Sequence, residues 1–256
     1  MKTNQAFEIL AHAGGVRAAR IITEKFPNLS RLGVWRIARK LRRETPVAKI
    51  TKRKWFYGIE FYTNRHTLDP RPDTETIVSA IIADYGANAA PDILDLGTGT
   101  GCIIISLCKN MAGAHGTAIE ISRGALRVAR RNIAENNLCD KINLRRGDFM
   151  RPMRFDDAFD IIVSNPPYIE RGDARVDAGA QHDPALALYA DDGGYAAYAA
   201  IAKNGKKWLK KGGKAYLEIG ENMGDTVRKI FLDNGWRQIR AECDLAGIER
   251  VLIFSA

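Results

Sequence analysis

The sequence predicts an α/β fold: an open, mostly parallel sheet with helices on both faces, an antiparallel last strand, and a small helical domain ahead of it. Three observations carry this expectation. From Asp92 onward, short β-branched runs alternate with helical patterns, the order that builds parallel sheets. The run Asp92-Ile93-Leu94-Asp95-Leu96 breaks into Gly97-Thr98-Gly99-Thr100-Gly101 and then into a helix, so a buried strand feeds a glycine turn. Ahead of residue 45, in contrast, apolar residues recur at helical spacing.

In chain order, the N-terminal segment reads as helices over 3–13, 15–26 and 30–43, separated by Gly14-Gly15 and Pro27-Asn28. Ser30 is the expected N-cap of the third helix, with Trp35, Ile37, Ala38 and Leu41 inward and arginines outward. Lys54 to Thr63 is aromatic and β-branched around Gly58, which predicts a two-stranded hairpin. Its aromatic residues suit a core ribbon better than a nucleic-acid platform. Pro70-Arg71-Pro72-Asp73-Thr74-Glu75 is a stiff turn into a helix at 74–85. An arginine held between two prolines could clamp an anion or a carboxylate.

Strands are then expected at 92–96, 116–120, 141–146, 159–164, 213–219, 236–242 and 249–254. Helices are expected at 102–110, 122–136, 194–210 and 222–233. The last two strands are joined by a short turn and should be antiparallel neighbours. The stretch 170–193, rich in Asp, Gly and Ala, reads as a lid or binding loop. These readings divide the chain at 1–53 (helical), 54–69 (hairpin linker) and 70–256 (sheet domain).

With 256 residues, the chain is long enough for one full core and a small extra domain. Its 46% hydrophobic and 27% charged content is ordinary for a globular protein, and no apolar run approaches the length of a membrane span. Cys102, Cys108, Cys139 and Cys243 show no CxxC spacing and read as buried free thiols of a reducing compartment. The histidines are equally scattered, so no metal site is expected.

Charge is uneven. Residues 1–54 carry 14 Lys and Arg against 3 Asp and Glu, a net +11, so the whole +9 excess of the chain lies there. Such a patch suits RNA, a ribosomal surface or an acidic protein, and equally a solvated helix face. Glu8, Glu24 and the helical pattern running to Leu41 argue against a cleaved transit peptide.

In an open α/β sheet, ligands sit outside the carboxyl ends of the strands. Gly97, Thr98, Gly99, Thr100, Gly101, Glu120, Asp148 and Asn165 are all expected at that edge. The glycines leave no side chain in a ligand's way, and the helix behind them offers unpaired N–H groups. Glu120 can accept both ribose hydroxyl protons, and Asp148 with Phe149 can hold an adenine. A dinucleotide site would need a third glycine where Cys102 stands. The compact turn suits a sulfonium nucleoside with an amino-acid tail at least as well as a pyrophosphate.

Asn165-Pro166-Pro167-Tyr168 points to the chemistry. Prolines donate no backbone N–H, yet their carbonyls remain as acceptors on a rigid track. The carbonyls of Asn165 and Pro166 can take both N–H bonds of a planar NH₂, with Tyr168 packed on its face. Gripping both protons aims the delocalised lone pair at an electrophile, here a methylsulfonium.

With Asp95-Leu96-Gly97-Thr98-Gly99-Thr100-Gly101, this segment resembles the S-adenosylmethionine-dependent amino-methyltransferases of class I, a Rossmann-like fold. Over about residues 45 to 255 the likeness is narrower. Thr45-Pro46-Val47-Ala48-Lys49-Ile50, Phe56-Tyr57-Gly58, residues 68–75, Asp183-Pro184-Ala185-Leu186, Lys211-Gly212-Gly213, Glu218-Ile219-Gly220 and Gly247-Ile248-Glu249-Arg250 resemble the peptide chain release factor glutamine N5-methyltransferases.

The resemblance implies S-adenosylmethionine as cofactor, held by the glycines, Glu120 and Phe149. It implies methylation of the Gly-Gly-Gln glutamine of a translation release factor, with Asn165 and Pro166 gripping the amide and Pro167, Tyr168 and Arg71 around it. The helical domain would dock the partner. Three departures stand out: a short, unusually basic N-terminal domain, Glu120 where aspartate is common, and His182-Asp183 where an aromatic-Glu pair is usual.

The alternatives are another protein glutamine, such as one of a ribosomal protein, an adenine or guanine amine of nucleic acid, or a non-catalytic binding module. Against nucleic acid, the stretch after Tyr168 is too short for a target-reading domain. Against a binding module, Asn165 and the glycines are intact. A monomeric, cytoplasmic enzyme is the expectation.

Overall fold

The protein is described here by a computed structural model covering residues 3–170 and 182–256. The N-terminal periodicity folds as α1 (Thr3–Gly14), α2 (Val16–Lys25) and α3 (Arg31–Leu41). The Ser30 hydroxyl caps α3 by accepting from the Gly33 N–H at 3.1 Å. Leu10, Ala19, Ile22, Val34, Ala38 and Leu41 form a small core of their own.

Trp35 corrects the sequence reading, because it is 51% exposed. The buried stripe of α3 is Val34-Ala38-Leu41, and one residue's step carries Trp35 about 100° round the helix to solvent. A short helix that periodicity did not reveal, α4 (Val47–Thr51), follows Pro46. At five residues it is too brief to show a period.

The hairpin β1 (Arg53–Phe56) and β2 (Ile59–Tyr62) is a two-stranded sheet of its own. Phe56 and Phe61 enter the main core. The Tyr62 N–H donates to Asn132 Oδ1 at 2.8 Å, and Asn132 Nδ2 donates to the carbonyls of Tyr62 and Thr100. One buried asparagine thereby ties the hairpin to the glycine turn. A 3₁₀ turn at Pro72–Thr74 leads into α5 (Glu75–Tyr85), with the Pro expected at a helix start.

The alternation then appears as β3 (Asp92–Leu96), α6 (Cys102–Asn110), β4 (His115–Glu120), α7 (Arg123–Glu135), β5 (Ile142–Arg146) and β6 (Phe159–Ser164). A two-residue parallel ribbon, β7 (Ile169–Glu170) with β8 (Tyr189–Ala190), and the single turn α8 (Ala185–Leu188) lie where a lid loop was expected. Residues 171–181 of that expected lid lie outside the described residues. The chain continues through α9 (Ala196–Asn204), β9 (Leu209–Glu218), α10 (Gly224–Asp233), β10 (Arg237–Cys243) and β11 (Glu249–Ser255).

The main sheet has the order β10-β11-β9-β6-β3-β4-β5. Its strands are parallel except β11, which runs antiparallel to both neighbours. Period-two alternation sends Ile93 and Ile161 into the core under α5 and α6, and Leu94 and Ile162 into the core under α9 and α10.

Helix α9 ends at Asn204 and not at 210, and β9 starts at Leu209 and not at 213. The Trp236 ring fills the space beside Gly205, where a Cβ would meet it at 3.0 Å, and the chain tightens there into a 3₁₀ turn. Strand β9 then bulges: Phe159 pairs with Leu209 but Ile161 with Lys214. Cys102 and Cys108 are buried free thiols, whereas Cys139 and Cys243 are exposed, contrary to the reading of all four as buried. No helix among the described residues is long and apolar enough to cross a membrane.

Candidate active site

Because β6, β3, β4 and β5 are consecutive and parallel, their carboxyl ends bring Asn165, the glycine turn, Glu120 and Asp148 to one edge. The turn is stitched to β4, where the Ile119 carbonyl accepts from Gly97 N at 2.9 Å and Thr98 N at 3.0 Å. Gly97 and Gly99 have φ of 76° and 57°, a region that disfavours any side chain. A Cβ on Gly97 would meet the Phe149 ring at 3.5 Å, and one on Gly99 the Gly97 carbonyl oxygen at 3.9 Å. Nothing projects from this cradle, so it leaves room for a ligand.

Glu120 faces the cradle. Its Oε2 accepts from Gly99 N at 3.0 Å and its Oε1 from Ser122 N at 2.8 Å. Each carboxylate oxygen keeps further acceptor capacity for a ribose diol. Burial raises its pKa above the ordinary glutamate value. Beneath it Asp95, almost fully buried, accepts from Thr98 Oγ1 at 2.5 Å. Burial pushes Asp95 up to about 7 against that hydrogen bond, and the Glu120 charge adds to the rise. Two carboxyl groups beside a cradle free of side chains favour a cationic nucleoside.

A cavity of about 530 Å³ opens above this edge, walled by Gly97, Thr98, Gly99, Thr100, Glu120, Asp148, Phe149, Asn165, Pro167 and Arg71 among others. Three expected site residues are off the wall. Gly101 caps α6, with Ile105 3.0 Å from where its Cβ would be. Pro166 is buried. Tyr168 packs its ring against Gly220 and Met223, and burial pushes its hydroxyl up to about 12. Asp148 is partly engaged already: Oδ1 accepts from Met150 N at 3.0 Å, and Oδ2 pairs with Arg151. The Cys102 thiol reaches the wall, but burial pushes it up to about 12 and leaves it protonated.

Arg71 does hold a carboxylate, the chain's own Asp183 at 3.0 Å. Asp183 also pairs with Lys49 at 2.7 Å, and Lys49 with Asp69 at 2.8 Å. This buried cluster connects α4, the Pro70 turn and the root of the lid. Thr74 and Glu218 were not anticipated as site residues. Thr74 Oγ1 accepts from Asn165 Nδ2 at 3.1 Å, and the buried Glu218 carboxyl sits against both side chains. The Thr74 segment reads in the sequence as a stiff turn and the Glu218 segment as a strand end, and neither pattern assigns them a role. Leu186, Ala187 and Tyr189 also wall the cavity from the lid.

A parallel sheet with one reversed strand, a glycine cradle and an acid at the next strand end define a class I S-adenosylmethionine-dependent methyltransferase. The Methyltransferase small domain family matches residues 73–182. The fold is shared with the crystal structure of a methyltransferase from Pyrococcus furiosus, at TM-score 0.59 and 18% identity over 81% of this chain and 92% of that one. It is shared too with the ribosomal protein L11 methylase of Lactobacillus delbrueckii subsp. bulgaricus, at TM-score 0.54 and 18% identity over 74% and 81%.

In sequence the chain is 35% identical over 251 residues to the release factor glutamine methyltransferase of Caulobacter vibrioides, covering 96% of this chain and 86% of that protein. It is 36% identical over 249 residues to a bifunctional methyltransferase of Rickettsia felis, covering 86% of this chain and 47% of the relative. The chain thus spans about half the length of the bifunctional relatives it matches. The chain belongs to the release factor glutamine methyltransferase family. The cofactor of this fold and family is S-adenosylmethionine, and the bare cradle over two buried acids fits it.

Proposed function

We propose that the protein methylates the side-chain amide nitrogen (N5) of the glutamine in the Gly-Gly-Gln motif of a peptide chain release factor. The observation that carries this reading is Asn165 on the same cavity wall as the glycine cradle, one strand away. When bound, the cofactor supplies an electrophilic methyl group on a sulfonium. Gly97 to Gly101 and Glu120 hold its tail and ribose, and Asp148 with Phe149 flanks its base. The side-chain carbonyl of Asn165 and the backbone carbonyl of Pro166 accept both protons of the substrate NH₂, so its lone pair projects perpendicular to the amide plane. Pro167 and Arg71 shape the slot from the cavity wall, and Tyr168 backs it from behind. Nitrogen gains the methyl carbon, the S–CH₃ bond breaks, and one N–H proton leaves to solvent. Alignment of this kind contributes about 7–11 kcal/mol to lowering a barrier.

In this reading 1–53 is a docking domain, 54–69 its hairpin linker and 70–256 the catalytic domain, in a monomer working in the cytoplasm. Arg17, Arg20, Arg36, Arg39 and Lys40 are exposed on α2 and α3 and offer a basic face to a ribosome or RNA accompanying the release factor. The test is mass spectrometry of a purified release factor incubated with this protein and S-adenosylmethionine. A gain of one methylene on the Gly-Gly-Gln peptide, lost with Asn165→Ala, is the expected result. Methylation of a different glutamine, or of RNA, would replace the reading.

A further inference from the structure

Asn165 can serve as an acceptor only if its side-chain amide is turned the right way, and a planar amide has two nearly equal orientations. The structure holds Nδ2 against Thr74 Oγ1 at 3.1 Å. A threonine hydroxyl alone cannot choose, since it donates or accepts equally well. Glu218 breaks the tie. Its carboxyl is 3% exposed at the end of β9 and stands beside Thr74 and Asn165, both of which favour its ionised form. Among the described residues its Oε2 has no hydrogen-bond partner. An ionised carboxylate only accepts, so the single Thr74 proton goes to Glu218 and the Thr74 lone pair meets the Asn165 NH₂.

We propose that Glu218 is a positioning residue that, through Thr74, fixes the Asn165 amide with its carbonyl oxygen presented to the substrate NH₂. The inference rests on the glutamine-amide reading for its catalytic consequence, but the orientation belongs to the protein alone. Protonated, Glu218 would donate to Thr74, and Thr74 could donate in turn to a flipped Asn165 oxygen, which removes the acceptor.

Burial pushes Glu218 up to about 7, opposed by the Thr74 hydrogen bond and helped by Asp73. The other groups facing it are Arg250 on β11, Tyr168 beyond β6, Tyr198 on α9 and Cys102 on α6. Tyr168 and Cys102 lie near 12 and Tyr198 well above the ordinary tyrosine value, so none of these three titrates near neutrality. Asp95 also sits at about 7, but beneath the cofactor cradle, so its titration acts on cofactor affinity.

The experiment combines steady-state kinetics on the full chain, between about pH 5 and about pH 9, with the Asn165 side-chain NH₂ signal of isotope-labelled protein. For Glu218→Gln and Thr74→Val, kcat should fall about 10- to 100-fold with the cofactor KM unchanged. Thr74→Ser should restore it. In the wild type the acid limb of kcat and the Asn165 NH₂ shift should both titrate near 7, and both should flatten in Glu218→Gln.

Unchanged kcat with a non-titrating NH₂ signal would overturn the proposal, as would loss that Thr74→Ser fails to rescue. If the wild type methylates no release factor while the NH₂ signal still follows Glu218, the glutamine reading fails and the positioning role stands.

Discussion

At the residue scale, the site works by leaving space and by placing acceptors. Glu120 serves twice, holding Gly99 N and Ser122 N through its two oxygens while lining the cavity. Glu120→Ala should weaken binding of S-adenosylhomocysteine by about 10- to 100-fold, the value of one or two charged hydrogen bonds. Isothermal titration checks it, with the folded fraction verified by circular dichroism. Glu120, the glycines and Asn165 were legible in the sequence because each stands at a strand end beside a backbone constraint. Thr74 and Glu218 were not. Thr74 meets Asn165 across 91 residues of chain, a separation no local pattern reports.

At the element scale, two ion clusters hold the parts in place. On α5, Asp84 accepts from Tyr216 at 2.5 Å and Lys214 at 3.0 Å on β9, and from Arg240 at 2.7 Å on β10. Burial raises its pKa, but these three partners outweigh burial and hold it at about 2. Asp84→Asn should cost about 2–4 kcal/mol in urea denaturation and leave the KM for cofactor unchanged. Lys49 on α4 is the second pin. Lys49→Met would leave Asp69 without its cation and Asp183 with Arg71 alone, at a cost of about 3–5 kcal/mol. Its KM for the protein substrate should rise more than its KM for cofactor, since the lid root loses its anchor. The early end of α9 and the outward Trp35 escaped the sequence because each depends on a neighbour from elsewhere, Trp236 in one case and the Leu10 and Ile22 core in the other.

At the scale of the whole molecule, stability should depend on pH with a definite sign. Asp95 and Glu218 bind their protons more tightly folded, at about 7, than their ordinary values of 3.8 and 4.5. Their contribution is complete below those ordinary values and is lost as pH rises through 7. Asp84 runs the other way: its contribution is present above 3.8 and is lost as pH falls through about 2. The urea midpoint should therefore be higher at about pH 5 than at about pH 8, and Asp95→Asn should flatten that difference. A midpoint rising with pH would contradict the assignment. Equally global is the charge asymmetry, and partner binding through the basic helices should weaken steeply with salt if the exposed arginines carry it.

By itself the sequence determined what local constraints determine. Periodicities of 2 and 3.6, the positive-φ demand of the glycine turn, and the Asn-Pro-Pro run after a strand located the strands and the sheet edge that carries the glycine turn and Asn165. Only the tertiary structure decided where β11 inserts, which carboxylate Arg71 holds, and which groups orient Asn165. Those outcomes depend on burial and on pairing between residues far apart in the chain. A buried charge has a cost that is known only once every neighbour able to meet it has been placed.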